Sequence, residues 1–433
     1  MTAFRRAVLI LLCSAGPAYA DSGDWAVGGQ VTHVWQYHPA FRSPYRGANS
    51  LDPGSRGNET FDATLFLGAR LWSGAEVWAD PEVDQGFGIS NTFGIAGFPS
   101  GEAYKFGSAT PYWRVPRLFF RETFNLGGEA QTVEASPNKF EQTRSANNLV
   151  VTIGKFSAVD IFDTNPYAGD PKADFLNWAI IDSGAFDYAA DAWAYTYGMA
   201  AEWTQSRLTL RAGLFDLSRV PNGKALVRGF GYYELAGEVE ECHTLLDSPG
   251  SLKLLVFDNR ARMGSYEDAL RLAQMTGAIP STALVRRYAW RPGAAFNFEQ
   301  AITDALGIFA RLSLNDGSKE TYEFTDINRS LAAGFSLKGA EWGRPRDNFG
   351  LAGIINGLSR NARDYFAAGG LGTLVGDGRL PHYGAEKIVE TYYSVEISGA
   401  LVLTADYQFI DNPAYNRDRG PVSVLGMRLH SEF

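Results

Sequence analysis

The residues best able to do chemistry are arginines set among apolar neighbours. Arg70 alternates with Leu65, Leu67, Ala69 and Leu71, Arg207 and Arg211 with Leu208, Leu210, Ala212 and Leu214, and Arg311 with Leu306, Ile308, Ala310 and Leu312. Arg117 and Arg121 stand in the same relation to Leu118, Phe120 and Phe124. A guanidinium presents five N–H donors in a fixed fork, so it can hold hydroxyl groups or pair with carboxylates. Glu76, Glu82, Glu234 and Glu299 could share the same surface, and Trp72 and Trp178 offer aromatic faces. The candidate pore-lining, substrate-binding set is Arg70, Trp72, Glu82, Arg117, Arg121, Trp178, Arg211, Glu299 and Arg311. The plainer reading is that these charges solvate a wet wall and neutralise one another.

Covalent chemistry finds less support. Five histidines are present, His33, His38, His243, His382 and His430, but none stands in H-E-x-x-H, and no G-x-S-x-G elbow occurs. Lone histidines on strands or loops read as polar surface groups rather than as bases. Adjacent side chains on a strand point to opposite faces, which speaks against a metal held by Cys242 and His243. The run Gly369–Gly378 lacks both G-x-G-x-x-G and GK[ST] spacing and reads as a flexible turn. No cofactor and no catalytic residue are expected; a barrel hydrolase is the rival in this class.

Arginines that face away from apolar neighbours need strands to hold them. Val395, Ile397, Leu401, Leu403, Ala405, Tyr407 and Phe409 alternate with Glu396, Ser398, Thr404, Asp406 and Gln408, and Trp193, Tyr195, Tyr197, Met199 and Trp203 alternate with Ala194, Thr196, Gly198 and Glu202. At the chain end Leu425, Met427, Leu429 and Phe433 share one face while Arg428, His430 and Glu432 share the other. Period-2 segments recur from Trp25 to Phe433, one architecture repeated. Aromatic residues gather near segment ends (Trp25, Trp35, Tyr37, Trp193, Tyr195, Tyr407, Phe409), as membrane-interface girdles do. The segment 157–190 is too long and polar for a hairpin turn and is expected to cap a mouth or fold inward, and a short helix is expected at Tyr266–Met275.

Bulk properties agree. The 433 residues carry 39 Lys+Arg and 48 Asp+Glu, a net charge of −9, which disfavours a nucleic-acid binder. With 47 Gly, 28 Phe, 20 Tyr and 10 Trp beside 5 Met, strands and tight turns are favoured. Only two cysteines exclude a disulfide framework. Residues 1–20 read as a cleaved signal peptide, with Arg5 and Arg6, an apolar stretch from Ala7 and an Ala18-Tyr-Ala20 end. Removing them leaves 413 residues of charge 37 − 48 = −11. No later apolar run approaches the ~20 residues of a spanning helix, whereas a barrel strand needs only ~9–11. Fold class is therefore all-β, a transmembrane antiparallel barrel of about 16 strands over residues 21–433 with inward-folded loops and at most short helices, since 413 residues allow about 26 per strand and connection.

Several stretches together resemble the carbohydrate-selective outer-membrane porin family of Gram-negative bacteria, of glucose-porin type. They are Gly29-Gln-Val-Thr-His, Tyr45-Arg-Gly-Ala-Asn-Ser-Leu51, Leu67-Gly-Ala-Arg-Leu-Trp72 with Asp80-Pro-Glu82, and Gly97-Phe-Pro-Ser-Gly-Glu102. Further on come Gly154-Lys-Phe-Ser, Asp160-Ile-Phe-Asp163, Ala340-Glu-Trp-Gly-Arg-Pro-Arg-Asp347 and Asp406-Tyr-Gln-Phe-Ile-Asp-Asn-Pro-Ala-Tyr415. The resemblance implies a sixteen-stranded barrel in the cell outer membrane, with a constriction of charged and aromatic residues that passes small neutral sugars by diffusion. In that setting the arginines would hold sugar hydroxyls while an indole stacks on the apolar sugar face, and Arg70, Arg117, Arg121 and Arg311 are the first choices for setting selectivity. Partners are then small sugars and outer-membrane lipid, with no nucleic acid, and both a homotrimer and a monomer stay open. The alternative is an export channel for an acidic polysaccharide. Cys242-His243 falls where no family motif is recognised.

Cleavage is expected after Ala20, so N-terminal sequencing of the exported protein should begin at Asp21; a start at Cys13 or a retained leader would overturn it.

Overall fold

In the computed structural model, residues 20–433 are described except 22, 105, 246 and 325, and the leader expected at 1–20 lies almost wholly outside them. Sixteen long strands run in chain order: β1 (Trp25–His38), β2 (Arg56–Trp72), β3 (Ala75–Gly86), β4 (Ser108–Val133), β5 (Gln142–Phe156), β6 (Thr196–Gln205), β7 (Leu208–Asp216) and β8 (Tyr233–Leu245). They continue with β9 (Ser248–Met263), β10 (Arg287–Ala301), β11 (Leu306–Asn315), β12 (Arg329–Gly339), β13 (Arg344–Gly357), β14 (Glu386–Ser398), β15 (Leu401–Asp411) and β16 (Val422–Glu432). Each pairs antiparallel with its neighbours, and β16 pairs with β1 from Leu425 opposite Tyr37 to Glu432 opposite Gln30, which closes the barrel. A two-residue strand, Ala20–Asp21, leads into β1 and pairs with Val27 and Ala26.

Closure removes the free sheet edge, so every strand's backbone groups find partners within the sheet, the condition for crossing hydrocarbon. Side chains are sorted inside out relative to a water-soluble protein. Leu254, Leu312, Ile355 and Met427 are 55%, 51%, 49% and 49% exposed, while Arg291, Arg311 and Arg428 are 0%, 2% and 0%. The expected two-faced alternation thus takes the expected direction, apolar out and charged in. Trp25, Trp113 and Tyr288 stand exposed at the strand ends, where amphipathic rings suit an interface. Among the described residues no helix is long and apolar enough to cross a membrane.

Connections alternate strictly between short and long. On one rim β2–β3, β6–β7, β8–β9 and β14–β15 join through two residues each; on the other lie 39–55, 87–107, 157–195, 217–232, 264–286, 316–328, 358–385 and 412–421. The helix expected at Tyr266–Met275 is present as Tyr266–Thr276, its first turn capped by Ser265. Arg207 does not reach the lumen as expected: the β6–β7 turn falls at 206–207, and it is exposed there.

Two long connections, 87–107 and 157–195, fold into the barrel. The second contains a helix α1 (Trp178–Ile181) whose four residues are all buried. Trp193 and Tyr195, expected on a strand with its girdle, belong instead to this loop, because β6 begins only at Thr196 and Ala194 turns the chain at a positive φ of 74°. Glycine matters where the wall must be thin: a Cβ at Gly68 would lie 2.6 Å from the buried Trp78 ring, which crosses β2 there.

Phe433 completes the closure, since its N–H donates to Gly29 O (2.8 Å) and its carbonyl accepts from Gly29 N–H (2.6 Å). A chain ending at Glu432 loses that pair. It should assemble more slowly and in lower yield, read by heat-modifiable gel mobility; unchanged yield and mobility would count against a closing role for the residue.

Candidate functional site: the lumen constriction

An irregular loop inside a barrel must find hydrogen-bond partners for its backbone, and the inward side chains of the later strands supply them. Arg311 on β11 donates to the carbonyls of Ala168 (2.7 Å), Ile180 (2.6 Å) and Asp163 (2.9 Å), and its Nε faces the Asp163 carboxylate at 3.3 Å. Arg428 on β16 donates to the carbonyls of Pro171, Ala173 and Asp174 at 2.6, 2.7 and 2.8 Å. Glu390 on β14 accepts from the N–H groups of Leu176 (2.5 Å) and Asn177 (3.0 Å). Glu386 does the same for Ala96 (2.9 Å) and Gly97 (2.8 Å) of the 87–107 loop. The two loops are joined by Asn177, which donates to Gly97 O (2.8 Å), and by Phe98 stacked on Trp178 at 5.0 Å.

Packed against β10–β16, the loops leave open the opposite side of the lumen. There a cavity of about 820 Å³ is bounded by β3–β5 and by the loop edges. Its wall carries a cross-strand charge ladder. β3 and β4 pair so that Glu76 lies opposite Arg121, Asp80 opposite Arg117 and Glu82 opposite Arg114. Arg121 donates to Glu76 at 2.6 Å, and Arg114 donates to Glu82 at 2.5 Å and to Asp84. Arg117 turns its fork to the loop instead, holding Asp160 through two bonds of 2.9 and 2.6 Å. Aromatic rings cover these guanidinium groups: Tyr195 lies 5.2 Å from Arg114 and 5.0 Å from Arg117, and Tyr104 5.1 Å from Arg114. Such contacts fix the arginine planes, and of the three Arg117 and Arg121 line the cavity while Arg114 is held behind Tyr104 and Tyr195.

A lysine locks the loops to this wall. Lys172 of the 157–195 loop reaches Asp62 on β2 (2.8 Å) and Glu102 of the 87–107 loop (2.5 Å). Burial works against its ammonium, but Asp62, Glu102 and Glu82 outweigh it and hold the Lys172 pKa well above the ordinary lysine value. Asp182, which ends α1 and lines the cavity, is the opposite case. Burial pushes its carboxyl up to about 8, Asp163 and Asp160 adding to the rise and Arg311 opposing it.

Of the residues selected from sequence, Glu82, Arg117, Arg121 and Trp178 line the cavity. Trp178 is only 5% exposed and stacked on both Phe98 and Tyr188 (5.5 Å), so it packs the loops rather than presenting an open face. Arg70 lies on the lumen side near the short-turn rim, stacked 4.9 Å over Phe140 and donating to Glu141 O. Arg211 is consumed by Glu202, Glu238 and Glu240 at 2.9, 2.7 and 2.6 Å. Glu299 is paired with Lys253 at 2.9 Å. Arg311 is sealed behind the loop it holds. Trp72 points outward, 56% exposed, beside Phe120 at 6.1 Å, because a register shift between Arg70 and Trp72 reverses the alternation. Of the other acids, Glu234 is fully buried and accepts from Ala189 N–H (3.1 Å). Cys242 is exposed, and His243 contacts Glu241 (3.2 Å) and Gln300 (3.0 Å).

The sequence reading missed Arg114, Lys172, Asp160, Asp182 and Tyr104. Arg114 had a signal: Pro81 and Pro116 cannot donate to a ladder, and the register shift between Asp80 and Glu82 puts Arg114 on the same face as Arg117 despite their odd spacing. The loop residues carried none, since nothing in their spacing says which wall the loop meets.

Ionisation of Asp182 should be visible in conductance. For a carboxyl at about 8, the charged fraction rises from roughly 10% at pH 7 to roughly 90% at pH 9. A charge ~4 Å from a passing ion is worth on the order of 1–4 kcal/mol across effective dielectrics of 80 to 20. Cation preference, read as reversal potential in a KCl gradient, should therefore rise between those pH values, and Asp182→Asn should remove that part of the rise; an identical pH profile in the variant would refute the assignment.

Comparison with known proteins places this architecture. A family model described as carbohydrate-selective porin, OprB family, matches residues 48–433. Two curated relatives, the porins AaxA of Chlamydia abortus and Chlamydia caviae, are each 21% identical over 331 residues, 74% of this chain. The chain spans only 63% and 62% of their respective lengths. Among solved structures, Pseudomonas putida OprB at high pH superposes with a TM-score of 0.72 at 16% identity, over 95% of this chain and 94% of that one. The outer-membrane channel DcaP of Acinetobacter baumannii gives 0.52 at 12% identity, over 96% and 100%.

Proposed function

This chain belongs to the OprB family of carbohydrate-selective porins, and on that premise we propose that it is a passive outer-membrane channel for small neutral carbohydrates. The observation that carries the reading is the pair Arg117 and Arg121 on β4, with Tyr195 over Arg117 and Tyr104 nearby, along one side of an 820 Å³ cavity. Planar donors for hydroxyls beside aromatic faces for the apolar side of a pyranose are what a sugar requires. Because the acids of β3 and the loops neutralise most of that positive charge, a neutral solute crosses without strong trapping, and weak binding at several positions permits exit.

Export through a leader cleaved after Ala20, and one barrel domain from residue 21 onward, belong to the same proposal. Each copy encloses its own lumen, so passage needs a single chain. The reading calls for no nucleophile, metal or cofactor.

The test is planar-bilayer conductance titrated with mono- and oligosaccharides. Glucose or a short oligomer should block the current saturably. Tyr195→Ala should raise the half-blocking concentration by about 2–10-fold, the range for one lost aromatic contact of about 0.5–1.5 kcal/mol. Block by an acidic polysaccharide in preference to any neutral sugar would favour the export reading, and hydrolysis of lipid or peptide substrates by the purified protein would favour an enzyme.

A further inference from the structure

The β4–β5 hairpin does something the other short-rim connections do not. Its strands separate at Val133 and Gln142, and the residues between them fold back up into the barrel mouth instead of turning in the open. Phe140 is 1% exposed and packs on the buried Trp78 at 5.0 Å. Asn138, at a positive φ of 61°, donates to Asp80 (2.9 Å), its carbonyl accepts from Arg121 (2.8 Å), and Phe140 N–H reaches Glu76 (3.4 Å). Backbone bonds between Ser136 and Lys139 (3.1 and 3.0 Å) tie off the turn. Four contacts to the wall, with the two bonds inside the turn, make this a built element that narrows the short-loop end of the channel, on the side away from the long loops.

What the turn brings to the cavity is positive charge without matching acid. Lys139 and Arg144 both line the cavity beside Arg121. Arg121 is answered by Glu76, and the nearby Glu202 is committed to Arg211 at 2.9 Å. Among the described residues the Lys139 ammonium has no hydrogen-bond or ion-pair partner, and the buried Nε of Arg144 has no hydrogen-bond partner. The Oδ1 of Asn138 is likewise buried with no donor to it. Burial, followed by Arg144 and Arg121, pushes the Lys139 ammonium below the ordinary lysine value, with Glu76 and Glu202 opposing. Two cationic side chains without an acid opposite them, Lys139 and Arg144, thus stand together at one edge of the cavity beside Arg121.

We propose that Lys139 and Arg144 form a second binding subsite at the short-loop end of the channel for the carboxylate of a sugar acid, a hexuronate or aldonate. The carboxylate would take donors from Lys139 and Arg144, and Asn138, bonded to Asp80 and Arg121, would hold the turn that presents Lys139. This rests on the reading of the chain as a sugar channel and deepens it: neutral sugars would meet only the arginine ladder, and acidic monosaccharides would meet the ladder and this subsite.

The experiment is bilayer conductance at pH 7 in fixed KCl, titrated with glucose or with potassium glucuronate, for the full-length protein and for K139Q and R144Q. Folding of each variant is verified by heat-modifiable mobility. Glucuronate should block the wild type at a concentration at least about 10-fold below glucose, the factor expected of one charge-assisted contact of ~1.5 kcal/mol or more. Either variant should erase most of that advantage and leave glucose block unchanged. Equal half-blocking concentrations for the two solutes in the wild type, or a glucuronate advantage that survives in both variants, would overturn the subsite. A glucuronate advantage lost in the variants, with no glucose block at all, would instead sustain the subsite and refute the neutral-sugar reading.

Discussion

The structure depends on one constraint: peptide groups taken out of water must be bonded to something. The barrel wall meets it by closing on itself. The 157–195 loop cannot, because it runs through the lumen with only a 3-10 turn at 158–160 and one turn of α-helix, and many of its N–H and C=O groups are met instead by side chains of the wall. That requirement explains why the later strands carry fully buried Arg311, Arg428, Glu386 and Glu390, residues whose burial would be ruinous without partners. The lumen charges are therefore of two kinds. Those on β10–β16 bond largely to loop backbone and are spent, and those on β3–β5 pair with acids while Arg117 and Arg121 still border the cavity.

From this division follows the position of the channel. A loop drawn to one side by its hydrogen bonds leaves an off-centre passage against β3–β5, and the charges that can still meet a solute are the ones on that wall. Cross-strand pairing there places Arg114, Arg117 and Arg121 each opposite an acid, so the passage is rich in charge and poor in net charge until Lys139 and Arg144 add to it. The selective element is thus set as much by which charges the loop consumes as by which charges the strands display.

Much of the barrel could be read in advance because its signal is local. Alternation at Leu425, Met427 and Arg428, or at Leu65, Leu67 and Arg70, reports which side meets lipid whatever happens elsewhere. Strand count followed from length, and the helix at 266–276 from the spacing of Leu270 and Leu272 against a polar face. The site was legible in part. Arg117, Arg121 and Glu82 were found by alternation alone, but alternation fails where register slips, which misplaced Trp72 and hid Arg114. It is silent about loops, so Trp193 and Tyr195 looked like the start of a strand, and Trp178 looked open to solvent when Phe98 and Tyr188 cover it. Arg311 shows the remaining gap: a residue can point inward, as its spacing says, and still be unreachable, because a segment about 130–150 positions away in sequence lies on top of it.

The loop precedes in the chain nearly everything that holds it. Residues 163–177 are gripped from Asn297, Arg311, Glu390 and Arg428, the last of these on the strand that seals the cylinder. The full set of bonds that places the loop therefore exists only in the closed cylinder. Lys172 already ties the loop to Asp62 on β2, but the carbonyls of residues 171, 173 and 174 find their donors only when Arg428 on the last strand is in place. The selective filter is, in this sense, a report that the cylinder has closed: a molecule whose last strand is missing or misaligned would be both incompletely sealed and unselective, two defects with a single origin.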